Sequence, residues 1–290
     1  MVSVRLIRRK IRTVRNIRQI TDAMKRVAAA RLQRAQHRVA ASRPYAEKLA
    51  QTLHRVGAAA GEIEHPLLHT REPRTTCVVV VGSDRGLCGS YYGNLLRFVE
   101  RFIASQNSDV KVVPVNRKAC EYFLGRRDRH EVLRTFMGLS DQSPAGDVSI
   151  LSTYLRDLYA SEQVDEVYLC YQRFVSAVVQ RPTAQRFLPF SATVRAQDDV
   201  SEASEYILEP DPQTIMLALI PTYVDTQIYH AILEAAASEY GSRMMAMTNA
   251  TQSATDMIED LTLTFNKARQ AAITTELVEI VAGAEALAEQ

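Results

Sequence analysis

The 290-residue chain has no tryptophan, four cysteines, and no apolar run near the ~20 residues that cross a bilayer. The last shortage predicts a soluble chain that meets a membrane only through partners. Cys77, Cys88, Cys120 and Cys170 fit no C-x-x-C or zinc spacing, and a chain of this size has little need of a disulfide framework. They read as reduced thiols in a reducing compartment. The phosphate-cradling G-x-x-x-x-G-K-[ST] loop is missing: Gly82 and Gly86 are four apart and no lysine follows. G-x-G-x-x-G is missing too, since Gly86 and Gly89 stand alone. The six histidines (His37, His54, His65, His69, His130, His230) show no H-E-x-x-H pattern, and Pro66 disfavours a helix that would bring His65 and His69 together. There is no G-x-S-x-G elbow. The adjacent acids Asp198-Asp199 and Glu259-Asp260 read as solvated pairs. These absences predict no catalytic, cofactor or metal site.

Glycine and proline are scarce where it matters most. From Pro212 to Leu287 there are two glycines, Gly241 and Gly283, and one further proline, Pro221. Apolar or small residues recur at alternating three and four: Met247, Thr251, Ala254, Ile258, Leu261, Phe265, Ala268, Ala272. That is a heptad seam, which requires a partner helix. At 1.5 Å per residue the helix is on the order of 100 Å long, too long for a globular core. Asp211 suits the N-cap and Pro212 the first helical position. Pro221 predicts a kink, or two helices in succession.

The first 56 residues read as one helix, with a seam through Ile7, Ile11, Val14, Ile17, Ile20, Met24, Ala28, Leu32, Ala35, Val39, Ala46, Leu49, Leu53 and Val56, and a stop at Gly57. Pro44 is its internal proline. The two ends differ in charge. Residues 1–56 hold 15 Lys/Arg against 2 acids, and residues 211–290 hold 3 against 11. Opposite charge favours their pairing, although exposed ion pairs give only ~0–1 kcal/mol each. The Arg-rich, acid-poor start has the composition of a mitochondrial transit peptide, but its helical pattern runs past presequence length.

Between the ends the pattern changes. Cys77–Val81 is a buried strand. It enters the turn 82–89 and a helix near Ser90–Ser105. Strands follow at Val110–Val115 and Glu131–Phe136, with a short helix at Arg117–Leu124 between them. Ser149–Ser161 is an amphipathic helix. Glu166–Tyr171 and Ala177–Gln180 read as strands joined by a tight turn, Thr183–Asp199 as loop, and Tyr206–Leu208 as an edge strand. The fold expected is α/β with long helices: an antiparallel coiled coil (1–57 and 210–290) around a Rossmann-like α/β domain (75–209). Two other readings compete. A nucleotide-dependent α/β enzyme with helical arms lacks a phosphate loop. A nucleic-acid-binding coiled coil would use the basic first helix for phosphates, yet those arginines flank an apolar seam and an acidic partner helix lies in the same chain.

Five segments, in order, resemble the gamma subunit of rotary ATP synthase. They are Ile20–Arg31 (ITDAMKRVAAAR), Ala41–Tyr45 (ASRPY), Ser83–Gly89 (SDRGLCG), Ser242–Met247 (SRMMAM) and Ile273–Ala284 (ITTELVEIVAGA). The resemblance covers nearly the whole chain. It implies a non-catalytic rotor shaft inside a hexamer of three alpha and three beta subunits. It also implies an epsilon subunit and a membrane rotor ring as partners, no nucleic acid, and a place on the cytoplasmic face of a bacterial inner membrane. Carried over by motif, the residues facing beta or alpha are Thr21, Met24, Lys25, Arg26, Arg31, Arg243, Met244, Met247, Arg269, Gln270, Thr274, Glu276 and Glu279. Ile280–Leu287 would be the bearing tip. Asp84, Arg85, Gly86, Cys88 and Gly89 form the α/β-domain turn. Arg26 stands where the family often has an apolar residue, and Thr248 where it has Lys or Asp. The regulatory cysteine insertion of the chloroplast type is absent.

Overall fold

The computed structural model describes residues 4–60, 65–190 and 208–288. The elements in order are α1 (Val4–Ala60), β1 (Thr75–Val81), α2 (Tyr91–Ala104), β2 (Asp109–Val115), α3 (Arg117–Leu124), β3 (Glu131–Val132), α4 (Ala145–Ala160), β4 (Glu166–Phe174), β5 (Gln180–Leu188) and α5 (Pro212–Ala288), with a 3-10 turn at Pro66–Leu68. The chain forms two compact units, Met1–Ala28 with Met244–Gln290, and Ala29–Arg243. The sequence divides near 57 and 210. The compact units divide further along both helices, because Leu53 and Val56 of α1 and residues 216–235 of α5 pack with the sheet.

In the larger unit the sheet order is β3-β2-β1-β4-β5. The pairs β1–β2, β1–β4 and β2–β3 are parallel, and β4–β5 is antiparallel. Alternation along β1 sorts its side chains to two faces. Val78 and Val80 pack with Leu95 and Val99 of α2 and Ala119 and Phe123 of α3. Cys77, Val79 and Val81 face Leu151 and Leu155 of α4, together with Leu53 and Val56 of α1 and Met216, Ile220, Val224, Ile228, Ile232 and Ala235 of α5. Both faces are covered, which is why β1 reads as an unbroken apolar run.

In the smaller unit α1 and α5 pair antiparallel. Thr21 meets Thr251, and Arg8 lies over the Phe265 ring, so contacts advance along one helix as they retreat along the other. On α5, Met247 and Ala254 are buried and Thr251, Ile258, Leu261, Phe265, Ala268 and Ala272 half-buried, as the heptad seam requires.

Several boundaries differ from the sequence expectation. α1 runs past Gly57 to Ala60, held by buried Leu53 and Val56. The α1 seam is buried as expected at Ile7, Ile11 and from Ala28 onward at Leu32, Ala35, Val39, Leu49, Leu53 and Val56, but it shifts between Val14 and Ala28: Ile17 and Ile20 are 47% and 59% exposed, while Thr21 is 9% exposed. Steps of four and three from Ile7, Ile11 and Val14 lead to Arg18, Thr21, Lys25 and Ala28, so Ile17, Ile20 and Val27 lie on the outer face. β3 is only two residues long, and the chain touches β2 again at a single bridge, Val115 to Phe136. α4 begins four residues early, with Asp147 in its first turn, where a negative charge suits the helix dipole. The hairpin strand is not Ala177–Gln180. Residues 175–179 make the turn, closed by Ser176 N–H to the Val179 carbonyl at 2.9 Å, and the strand is Gln180–Leu188. As an edge strand it tolerates Pro182, and its polar composition reads as loop. Pro221 does not divide α5 into two helices: Pro212–Ala288 is continuous. Ile220 and Val224 on either side of Pro221 are buried in the sheet core and hold the helix there. Asp211 caps α5 by accepting from Thr214 N–H at 2.9 Å. The loop and Asp198-Asp199 within 191–199, and 206–207 of the expected edge strand, lie outside the described residues. Leu208 is in no strand.

Candidate functional site

In an open α/β sheet the crevice beyond the strand C-termini, where strand order reverses, is the usual ligand site. Here that point lies between β1 and β4, and α5 occupies it. The Tyr91 hydroxyl donates to the Ala235 carbonyl at 3.1 Å. Gln172 of β4 donates to the Tyr91 carbonyl at 3.1 Å, and Ser238 of α5 donates to the Gln172 carbonyl at 2.8 Å. Small residues (Ala231, Ala235, Ala236, Ala237) let the helix backbone come close. Burial raises the Tyr91 hydroxyl well above its ordinary value, so it stays a neutral donor.

The next turn of α5 is fastened to the turn after β1. Ser242 donates to the Cys88 carbonyl at 2.7 Å. Arg243, 7% exposed, donates to the carbonyls of Arg85 at 3.1 Å and Gly86 at 3.2 Å, and pairs with Glu239 one helical turn back. Burial raises the Glu239 carboxyl while the Arg243 guanidinium pulls it down. The turn itself is strained to this purpose: Leu87 has φ 61° and Gly89 φ 59°, the left-handed region, so that the Arg85, Gly86 and Cys88 carbonyls face α5. Gly241 lies so close to the β4–β5 turn that a Cβ there would meet the Ala177 backbone at 3.3 Å.

Beside this collar is a cavity of about 240 Å³, lined among others by Arg31, Asp84, Arg85, Asp141, Glu239 and Tyr240. Its lining sets the carboxylates of Asp84, Asp141 and Glu239 beside the cations of Arg31 and Arg85, and Asp84 accepts from Arg117 N–H at 3.0 Å. Among the described residues no group of His, Cys, Asp or Glu has metal-site geometry, and no helix is long and apolar enough to cross a membrane.

The residues singled out by sequence fall into three groups. Thr21, Arg243, Met247 and Cys88 are buried inside the chain. Met24, Lys25, Arg31, Met244 and Asp84 are half-buried. Lys25 and the exposed Arg26 share Asp22, at 3.0 and 2.7 Å; the Lys25 hydrogen bond, then the nearby charges, hold the Asp22 carboxyl below its usual value despite some desolvation. Arg31 lies over the Tyr240 ring. Arg85, Gly86, Gly89, Arg269, Gln270, Thr274, Glu276 and Glu279 are exposed. Sequence reasoning missed Arg38, Tyr91, Asp141, Gln172, Ser238, Glu239 and Tyr240. Only Glu239 left a mark, its spacing of four from Arg243.

A coiled-coil pair joined to a sheet whose ligand crevice is filled by its own helix defines a stalk protein, built to hold and be held. The family model described as ATP synthase matches residues 3–287. The ATP synthase gamma chain of Desulfitobacterium hafniense is 45% identical over 287 residues, covering 99% of this chain and 100% of the relative. That of Moorella thermoacetica is 43% identical with the same coverage. A chain in the central stalk and c-ring structure of Tetrahymena thermophila mitochondrial ATP synthase is 25% identical with a TM-score of 0.58, covering 80% of this chain and 99% of its own length. A chain in the Euglena gracilis mitochondrial ATP synthase shares the fold, with a TM-score of 0.69 at 20% identity over 98% of this chain and 94% of that one. The chain belongs to the ATP synthase gamma chain family, whose members are non-catalytic subunits.

Proposed function

We propose that this chain is the central rotor shaft of an F-type ATP synthase, with residues 1–57 and 210–290 as shaft and 75–209 as the foot. The observation that carries the reading is the antiparallel α1–α5 pair within a family of gamma chains. Three alpha and three beta subunits surround the shaft, and the foot meets the epsilon subunit and the membrane ring at the cytoplasmic face of a bacterial inner membrane. The shaft is asymmetric, so at any angle it contacts three equal catalytic sites unequally. Only such a differential interaction shifts the balance between their open and closed states.

Burial divides the work among the carried-over residues. Thr21, Arg243 and Met247 hold the shaft's shape from within. Met24, Lys25, Arg26, Arg31 and Met244 on one stretch, and Arg269, Gln270, Thr274, Glu276 and Glu279 on another, offer surface to alpha and beta. Ile280–Leu287 serves as the bearing tip. The turn Asp84–Gly89 belongs to the collar, with Arg85 and Leu87 outward. The test is reconstitution with alpha and beta subunits. ATP-driven rotation of a probe on the foot is expected, with Met24→Lys perturbing coupling more than stability. Failure to assemble, or hydrolysis without rotation, overturns the reading.

A further inference from the structure

The loop between β3 and α4 carries an aspartate that no motif marks. Asp141 is 4% exposed although it sits in a surface connection. Its two carboxylate oxygens go to two different helices. Oδ1 accepts from the Tyr240 hydroxyl of α5 at 2.9 Å. Oδ2 accepts from Arg38 of α1, whose same nitrogen also donates to the Asp141 carbonyl at 2.8 Å. The loop behind it is pinned in turn. Asn116 accepts from Leu139 N–H at 3.0 Å, donates to the Leu139 carbonyl at 2.8 Å, and reaches the Gly82 carbonyl at 3.2 Å. Asn116 has φ 70°, a conformation that aims its amide at both loops. Ser143 closes the loop on itself through Ser140 N–H and the Gly138 carbonyl. Hydrogen bonds thus connect the ends of β1 and β2, through Asn116 and Asp141, to α1 and α5 at one level.

We propose that Asp141 is a positioning residue for torque transfer, a directional tie by which the sheet domain grips α1 and α5 together against twist, where Tyr91, Ser238, Ser242 and Arg243 tie α5 alone. This rests on the rotor-shaft reading. The physical distinction is between two kinds of contact. Apolar packing of α5 on the sheet runs through Ala231 and Ala235; it resists separation, but it is non-directional and resists sliding weakly. A buried carboxylate shared by an arginine and a tyrosine is directional, and rotating either helix about its axis lengthens a charge-assisted bond to it. The charge also has a reason to be there. An aspartate can serve both helices at once, whereas an asparagine would present one acceptor oxygen and an amide facing the Arg38 guanidinium.

The experiment is single-molecule measurement of rotor compliance in the assembled complex, with beta locked by a slowly hydrolysed nucleotide and a probe on the foot. Asp141→Ala is expected to widen the angular variance about twofold, since the carboxylate bonds to Tyr240 and Arg38 are lost together and only the Asp141 carbonyl remains to Arg38. Tyr240→Phe, which keeps the ring and removes one tie, is expected to give a smaller widening. The double variant Arg38→Ala, Asp141→Ala is expected to widen it by less than the sum of the two single variants, because the carboxylate bond to Arg38 is lost in both, while the Arg38 bond to the Asp141 carbonyl survives in Asp141→Ala alone. A purely structural role would lower the melting temperature of the free chain and leave the variance of the complex unchanged. Unchanged variance in Tyr240→Phe and Asp141→Ala, or strictly additive effects of Arg38→Ala and Asp141→Ala, overturns the proposal. Should Asp141→Ala fail to assemble, Tyr240→Phe decides alone. A parent complex that does not rotate counts against the rotor reading and not against this tie.

Discussion

The Thr251 hydroxyl of α5 donates to the Thr21 hydroxyl of α1 at 2.9 Å, and the Thr21 hydroxyl donates in turn to the Arg18 carbonyl at 3.0 Å. A polar pair inside an otherwise apolar seam fixes register, because sliding either helix would leave both hydroxyls facing side chains that cannot answer them. Each hydroxyl also lies near a carbonyl of its own helix, Thr251 at 2.8 Å from that of Met247.

That local alternative limits the loss when one partner is removed. Thr21→Val or Thr251→Val is expected to cost about 0.5–1 kcal/mol. The double valine variant should cost less than the sum, since the shared bond is lost once. A denaturant-unfolding cycle on the isolated chain checks this, and strict additivity would mean that the bond contributes nothing.

Arg243→Ala strands the largely buried Glu239 carboxylate and removes the donor to the Arg85 and Gly86 carbonyls. The expected loss is about 3–5 kcal/mol in the free chain, as for breaking any buried pair by removing one partner. Arg243→Lys is expected to recover only part of it, since a single ammonium cannot match the guanidinium fork. If melting of the free chain is unaffected and only the assembled complex suffers, Arg243 is a partner contact and the collar is misread.

Glu234 is 7% exposed, and its Oε2 has no hydrogen-bond partner. Burial raises its carboxyl, with Arg173 and Arg43 pulling it partly back. A carboxyl raised on folding binds more protons in the folded chain than in the unfolded one. Stability therefore falls as pH rises from the ordinary value of 4.5 through the raised one. Glu234→Gln removes that loss. Its melting temperature is expected to exceed the parent's near pH 8, on the order of 2 °C, and to converge with it near pH 4. A gap that is the same at both ends of the range would assign the difference to packing.

All four cysteines are buried, free thiols. Burial pushes the Cys77 thiol up to about 12 and raises Cys88, Cys120 and Cys170 as well. The thiolate is the reactive form. The folded chain is therefore expected to react with a disulfide reagent near pH 8 far more slowly than the unfolded chain, with all four thiols titrating only in denaturant. A rapid reaction of one equivalent in the native state would contradict the burial of Cys88, which at 4% is the most exposed of the four.

The long helices and the first strands were legible because period and burial agree there. Cys77–Val81 is apolar throughout and lies in a strand covered on both faces. The seam phase on α1 misled for a definite reason. Ile17, Ile20 and Met24 offer a second apolar stripe at the same spacing, one residue ahead of the true seam. Hydrophobicity alone preferred isoleucine to Thr21, whereas the partner helix, by supplying Thr251, preferred the threonine. β5 was hidden because an edge strand with one neighbour needs no apolar alternation. The collar was hidden because Tyr91, Gln172 and Ser238 act through backbone carbonyls of residues far away in the chain, and such contacts have no spacing to read.

One face of the sheet is covered by α4 together with residues 53–56 and 216–235. The core on that face is therefore assembled from segments far apart along the chain, and it stays open until the last third of the polypeptide arrives. During synthesis, β1 through β5 leave the ribosome with Val79, Val81, Leu151 and Leu169 only partly covered on that side, an exposure that invites aggregation. Until residues 216–235 emerge, the nascent sheet domain depends on whatever can shield that surface.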